Sequence, residues 1–379
     1  IKSMIRFFMF ISIICIGLLP AINFYGYINK YDFKGYSNSK FYKHIGKFDS
    51  EKLFNTDKVE RYLNYGFYVF FDRSLVENKV VIGKDNFLFL GSKHSNVIDK
   101  IKDHKKDIDK WTNKLKNVQD WYLDRGIKFV VVVAPDKRSI YGNKLPDWIN
   151  LNKATITDDI LDYSISKNIN ILDLRGVLKK QMTPQLYFST DTHWNNKGAA
   201  IGYEETISYI NKTYGIDYET VAYNFSEPRN RGGGDLARSL KISPILPTDI
   251  DVDYSYVFDH ESNICRGWIN KDREVEGACS SKLKRVKGAK NKGQYSVNTS
   301  SINNDNLLYL HDSFAGANRK LYDKTFKTVW MVHYGALWGP TLSKFIAKNK
   351  PDIVIYQVVE RNLYRSGIVN KIPELSGQL

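Results

Sequence analysis

The chain has 379 residues, a formal charge of +15 from 56 Lys and Arg against 41 Asp and Glu, 42% hydrophobic residues, 10 Pro and 25 Gly. That balance excludes a disordered, collagenous or low-complexity chain and suits one large domain or two small ones. Three Cys exclude a disulfide-dense scaffold, and the basic balance points to an anionic partner without naming it.

Lys2 and Arg6 precede Phe7 to Asn29, a run of 23 residues without a charge. About 20 apolar residues cross a bilayer as a helix, and basic residues before the run keep the N-terminus cytoplasmic. The expectation is a signal-anchor transmembrane helix over 1–29, with everything after Lys30 on the outer side of the cytoplasmic membrane. A cleaved signal peptide would have a shorter apolar run and a small-residue site, for which Leu19-Pro20-Ala21 is a poor match. Residues 30–79 are polar and aromatic without a clear period, and read as a stalk packing on the domain that follows.

Val80 to Ile82 and Phe87 to Leu90, separated by Gly83-Lys84-Asp85-Asn86, read as a hairpin. Ile101, Ile108, Trp111, Leu115, Val118 and Tyr122 recur at helical spacing and predict a long amphipathic helix stopped by Gly126. Ile127 to Val133 reads as a buried strand, as do Asn168 to Leu174, Asn306 to Leu310, Thr328 to His333 and Asp352 to Val359. Asn196 to Tyr214 is helix-like. Strands alternating with helices predict an α/β domain over 80–365 with a parallel sheet covered on both faces. Residues 217–301 break the rhythm and read as an insertion or lid-like excursion, within which Gly232-Gly233-Gly234 reads as a flexible loop. Residues 366–379 are a C-terminal tail. Cys265 and Cys279 lie in the insertion and are a disulfide candidate in an oxidising compartment.

Ligands of open α/β sheets sit at the carboxyl ends of the strands. The residues that follow the expected strands are Asp136-Lys137-Arg138, Asp191-Thr192-His193-Trp194 after Tyr187-Phe188, His311-Asp312-Ser313, His333-Tyr334 and Glu360-Arg361. Ser313 stands at a strand-to-helix turn and is the nucleophile candidate, His193 its base, and Asp191 the carboxylate that orients the imidazole. Ser313 also suits a helix N-cap, and Asp191 to Trp194 also suits a surface turn. Asp191, His193, His311 and Asp312 could alternatively ligate a metal, but no compact ligand motif is present, and neither metal nor cofactor is expected. Lys137, Arg138 and Arg361 suit an anionic substrate or ion pairs with neighbours such as Asp136 and Glu360. Trp194, His333 and Tyr334 are further candidates for lining a sugar site, with core packing the alternative for the large aromatics.

VIGKDNFLFLG (Val81 to Gly91), VAPDKRSIYGNKLP (Val133 to Pro146), STDTHWNNKGA (Ser189 to Ala199), GGDL (Gly233 to Leu236), LHDSF (Leu310 to Phe314) and PDIVIYQVVERNL (Pro351 to Leu363) occur in that order. Together they resemble the alginate O-acetyltransferase family, SGNH-hydrolase-like proteins of bacterial exopolysaccharide acetylation, in its membrane-anchored single-domain form. The resemblance implies a flavodoxin-like three-layer α/β/α fold in which the Asp-x-His block precedes the Ser block, a permuted order. It implies Ser313 as nucleophile, His193 as base and Asp191 as its partner, with acetyl passing through an acyl-Ser intermediate to a sugar hydroxyl. It further implies a multi-span membrane O-acyltransferase as donor partner, a polysaccharide acceptor and an extracytoplasmic catalytic domain. His311 replaces the glycine usual in that family. An acetyl esterase on the same triad and a non-catalytic polysaccharide-binding scaffold are the alternatives. Nucleic-acid binding would rest on charge alone, and the Lys residues are scattered rather than gathered in one stripe.

Overall fold

The structure is a computed structural model, and it describes residues 17–30, 55–92, 105–149, 155–259, 261–270, 275–280, 293–337 and 339–363. The first part of the expected anchor, residues 1–16, lies outside the described residues, as do residues 31–54 of the expected stalk and the tail 366–379. The described part of the anchor is a helix, α1 (Leu19–Lys30). Among the described residues no helix is long and apolar enough to cross a membrane.

Helix α2 (Asp57–Phe71) precedes the hairpin of β1 (Val80–Ile82) and β2 (Leu88–Leu90), which pairs Val80 with Leu90 and Ile82 with Leu88. Asp85 and Asn86 take positive φ at its turn, a conformation these two residues tolerate. Helix α3 (Lys105–Leu123) carries Ile108, Trp111, Leu115, Val118 and Tyr122 into the core, and Gly126 turns the chain at φ +69° into β3 (Lys128–Ala134). Then come α4 (Ile156–Ser166), β4 (Ile171–Asp173) and α5 (Asn196–Tyr214). Asn195 caps α5 with its side chain, and Gly215 ends it at φ +63°.

The short helix α6 (Asp235–Ser239) leads to β5 (Ile264–Ile269), β6 (Val275–Ser280) and β7 (Gly293–Asn298). The chain ends its described part with β8 (Asn303–His311), α7 (Arg319–Thr325), β9 (Phe326–His333), α8 (Gly339–Asn349) and β10 (Ile353–Val359).

These strands form one eight-stranded sheet in the order β6-β5-β7-β9-β8-β10-β3-β4. The half from β9 to β4 is parallel, and the half from β6 to β9 is antiparallel. The expected all-parallel sheet is therefore corrected to a mixed one. The segment 217–301 is not simply an excursion from the domain, because it adds β5, β6 and β7 to the sheet edge. Antiparallel strands need no covering crossover helix, so their sequences lack the strand–helix alternation that betrays a parallel sheet. Tyr187-Phe188 is likewise not a strand of the sheet; Tyr187 makes one isolated antiparallel bridge to Trp194.

Two cores lie on the two faces. Val130, Val132 and Ala134 of β3 join α5 through Ala199, Ala200, Tyr203 and Ile207, while Phe129, Val131 and Val133 join α3, α4 and α8. The alternation along β3 follows from the period of two in a strand, and burial of both faces makes the run continuously apolar. The result is a three-layer α/β/α arrangement. A third, smaller core joins β1 and β2 to Leu236 and Ala237 of α6 and to Leu240, its C-cap. Cys265 on β5 is disulfide-bonded, and β6, which carries position 279, is its antiparallel neighbour.

Candidate active site

The carboxyl end of β8 delivers Ser313. Asp312 caps the short 3₁₀ turn Ser313–Gly316 by accepting from the Phe314 amide at 3.0 Å, and its other oxygen accepts from the Val359 amide at 2.7 Å. The residue thus ties the Ser313 turn to the end of β10. Burial raises the Asp312 pKa, and the two amides oppose that rise.

Opposite this turn, the loop before α5 carries Asp191 and His193. His193 Nδ1 donates to Asp191 Oδ1 at 2.7 Å, which leaves Nε2 to accept the Ser313 hydroxyl at 2.8 Å. Residues 120 positions apart meet in one hydrogen-bonded line. The His193 ring also packs on Phe314, with centroids 4.9 Å apart. Burial opposes ionisation of Asp191, but the hydrogen bond and charge of His193 together with the Arg231 guanidinium outweigh it, holding the carboxyl well below the usual range. Arg231 Nη2 donates to Asp191 Oδ2 at 2.8 Å, and the Asp235 amide donates to the same oxygen at 3.2 Å.

The Gly-Gly-Asp-Leu segment is a packed element of this site rather than the expected flexible loop. Gly233 and Gly234 are buried, and the Gly234 amide donates to Thr190 Oγ1 at 2.8 Å. Asp235 accepts from the Thr192 amide at 2.7 Å and from its hydroxyl at 2.6 Å. Its Oδ2 also lies 3.8 Å from His193 Nδ1.

Lys137 is buried, and its ammonium donates to the carbonyls of Phe188 (3.0 Å), Ser189 (2.8 Å) and Asp191 (2.7 Å). Burial pulls its pKa down to about 8 against the attraction of Asp251 and Asp191. The expected substrate contact is therefore corrected: all three N–H groups are spent on the loop. Trp194 is also buried, and its indole N–H donates to the Phe314 carbonyl at 2.9 Å, so it belongs to the core and supports the Ser313 turn. Arg361 pairs with Asp136 at 2.9 Å and lies over the Phe314 ring at 5.5 Å, which favours the ion-pair reading. Arg138 and Tyr334 are buried, whereas His333 is exposed beside His311, its register partner on β8. A position at a strand end places a residue near the site, but the pleat and the packing decide which way its side chain points.

His311 Nδ1 donates to the Asp312 carbonyl at 2.7 Å, and burial together with the nearby His333 pulls its pKa down to about 4. His311 and Asp312 thus face their own backbone partners and do not converge with Asp191 and His193 on a metal. Asp191, His193 and Asp235 do bring ligand atoms within 4.8 Å of one another. Their oxygens are taken up by Arg231, three backbone amides and the Thr192 hydroxyl. That donor set suits a fixed carboxylate–imidazole pair better than a cation.

Arg231, Asp235 and Asp251 escaped the sequence reading. They lie in the stretch without strand–helix rhythm, and only the GGDL match marked its neighbourhood.

Residues 80–255 match the family model of the SGNH hydrolase-like domain of the acetyltransferase AlgX. No curated protein matches the sequence. The chain is similar to the structure of Bacillus cereus PatB1, with a TM-score of 0.57 at 17% identity over 75% of this chain and 96% of that one. PatB1 has also been solved with a sulfonyl adduct. A DHHW family protein from Eubacterium siraeum is similar with a TM-score of 0.58 at 15% identity, over 78% of this chain and 97% of that one. The O-acetyltransferase domain of Pseudomonas putida AlgJ aligns with a TM-score of 0.49 at 16% identity, over 76% and 92% of the two chains. At these identities the structural likeness concerns the fold. The matched residues 80–255 hold the hairpin, Lys137, Asp191, His193 and the Gly-Gly-Asp-Leu turn, and in them the chain is similar to the SGNH hydrolase-like domain of the acetyltransferase AlgX.

Proposed function

We propose that this protein is an O-acetyltransferase that moves acetyl to hydroxyls of a bacterial surface polysaccharide through an acetyl-Ser313 intermediate. The observation that carries the reading is the line Ser313 Oγ–His193 Nε2–His193 Nδ1–Asp191 Oδ1, with steps of 2.8 and 2.7 Å, at the carboxyl edge of the sheet, and the match of residues 80–255 to an acetyltransferase domain supports it. Ser313 Oγ attacks the carbonyl carbon of an acetyl donor while His193 Nε2 takes the hydroxyl proton. Collapse of the tetrahedral adduct breaks the bond to the donor group, which leaves with that proton. In the second half, His193 takes the proton of a sugar hydroxyl, the sugar oxygen attacks the acetyl carbon, and Ser313 leaves as its alcohol. Asp191, kept ionised by its contact with His193 and by Arg231, stabilises the imidazolium in both halves.

The charge-free run Phe7 to Asn29 supports anchoring in the cytoplasmic membrane, with the catalytic domain on the outer side. There the acetyl donor would be a multi-span membrane O-acyltransferase, and a net charge of +15 suits an anionic glycan. The test is incubation with a chromogenic acetyl ester, with and without oligosaccharides, locating acetyl by mass spectrometry. Acetyl on sugar, lost in Ser313→Ala, is the expected result. Free acetate alone, equally lost, would make the protein an esterase. No turnover and no acetyl-Ser313 would overturn catalysis in favour of a binding role.

A further inference from the structure

Two ions of opposite sign, Lys137 and Asp251, are buried on the loop that carries Asp191 and His193. Lys137 is 2% exposed, and so is Asp251. Lys137 grips carbonyls, at residues 188, 189 and 191. Asp251 grips donors of the same loop: the Ser189 amide at 2.5 Å, the Thr190 amide at 3.3 Å, and the Thr190 hydroxyl. The ammonium has three donors and meets three acceptors, and no donor is left over for a ligand. Phe87 and Phe89 of the hairpin close the remaining side, with ring centroids 5.7 and 5.4 Å from the ammonium nitrogen. The Leu88 amide donates to the Ser189 carbonyl at 2.8 Å, so the hairpin holds the same loop.

The arrangement costs two desolvated charges where a neutral loop anchor would serve for stability alone. Its effect is directional, since each of residues 188–191 is held at its carbonyl by the cation, at its amide by the anion, or at both. The Asp191 carbonyl held by Lys137 belongs to the residue whose carboxylate orients His193.

We infer that Lys137 and Asp251 are positioning residues, an ionic clamp split by the loop, which fixes Asp191 and His193 in line with Ser313. This inference rests on the acyl-transfer reading for its kinetic consequence and on geometry alone for its structural one. Neither residue touches the reacting atoms. Removing one ion leaves the other buried and uncompensated, whereas removing both leaves no orphan charge. Stability and positioning therefore respond differently to the two kinds of change.

The test compares full-length wild type with Lys137→Met, Asp251→Asn and the double variant by thermal melting, by kcat and KM for acetyl transfer, and by the downfield proton resonance of His193 Nδ1–H. Both single variants should melt at lower temperature than wild type, and the double variant should recover part of that loss. In all three, including the recovered double, kcat should fall about a hundredfold with KM nearly unchanged, the size expected for a misplacement of about 1 Å. The downfield resonance should disappear in all three. A double variant that keeps the resonance and wild-type kcat would overturn the inference and leave the two ions a purely structural pair. Absence of the resonance in wild type would overturn it too. If wild type shows the resonance but transfers no acetyl, and the variants lose it, the clamp stands and the proposed activity falls.

Discussion

Gly234 lies against Asp191 so closely that a Cβ added at position 234 would fall 2.4 Å from the Asp191 Cβ and 2.6 Å from its Oδ2. No real Cβ sits at such a distance from a neighbouring atom, so the glycine is required by the carboxylate and not by a positive φ. The Gly234→Ala variant should displace Asp191 and lower kcat between about tenfold and a hundredfold, as small misplacements in an active site do. The check is the kinetics of a variant shown by circular dichroism to be folded. Wild-type kcat in that variant would mean that Asp191 does not need its present place.

On the proposed acyl-transfer reading, the 2.8 Å hydrogen bond between them makes Ser313 and His193 act as a unit. Ser313→Ala and His193→Ala should each abolish most transfer, and the double variant should be hardly worse than either single one, with losses on the order of 10⁴ or more in kcat. Additive losses in the three variants would show that the two side chains work independently.

Arg231 adds to His193, from outside the line, in holding the Asp191 carboxyl ionised. The folded Asp191 pKa lies below its ordinary 3.8, so its contribution to stability is present above that value and is lost as pH falls further. Arg231→Met removes the partner at 2.8 Å and should raise the Asp191 pKa toward the ordinary value. The acid limb of kcat/KM should then move to higher pH. An acid limb that stays in place would remove Arg231 from the catalytic account.

His311 stands where the family resemblance expects glycine, and it is held neutral. Its pKa falls from 6.5 to about 4 in the folded chain, so the unfolded chain binds the extra proton first as pH drops. The stability tied to neutral His311 is complete above about 6.5 and is lost as pH falls through about 4. His311→Gln keeps a donor for the Asp312 carbonyl and removes the titration. Its melting temperature should decline less than that of wild type between pH 6.5 and 4. Parallel declines would assign the pH dependence to other groups.

The strands β3, β8, β9 and β10, helices α3 and α5, and the hairpin of β1 and β2 were legible in the residues themselves. Apolar runs bury both faces of a parallel sheet, a 3.6-residue period buries one face of a helix, and Asp-Asn supplies a tight turn. The sequence also determined which chemistry was available, because Asp191, His193 and Ser313 follow expected strands. What only the tertiary structure decided is direction and distance. It turned Lys137 and Trp194 inward, where they support the site instead of touching a ligand. It brought Arg231, Gly234 and Asp251, from a stretch with no strand–helix rhythm, against the loop of residues 188–192. It extended the sheet with β5, β6 and β7, whose antiparallel pairing needs no crossover helix to announce it. Local periodicity records which side of an element is buried, whereas a hydrogen-bonded line between residues 120 positions apart exists only once the sheet has set their separation.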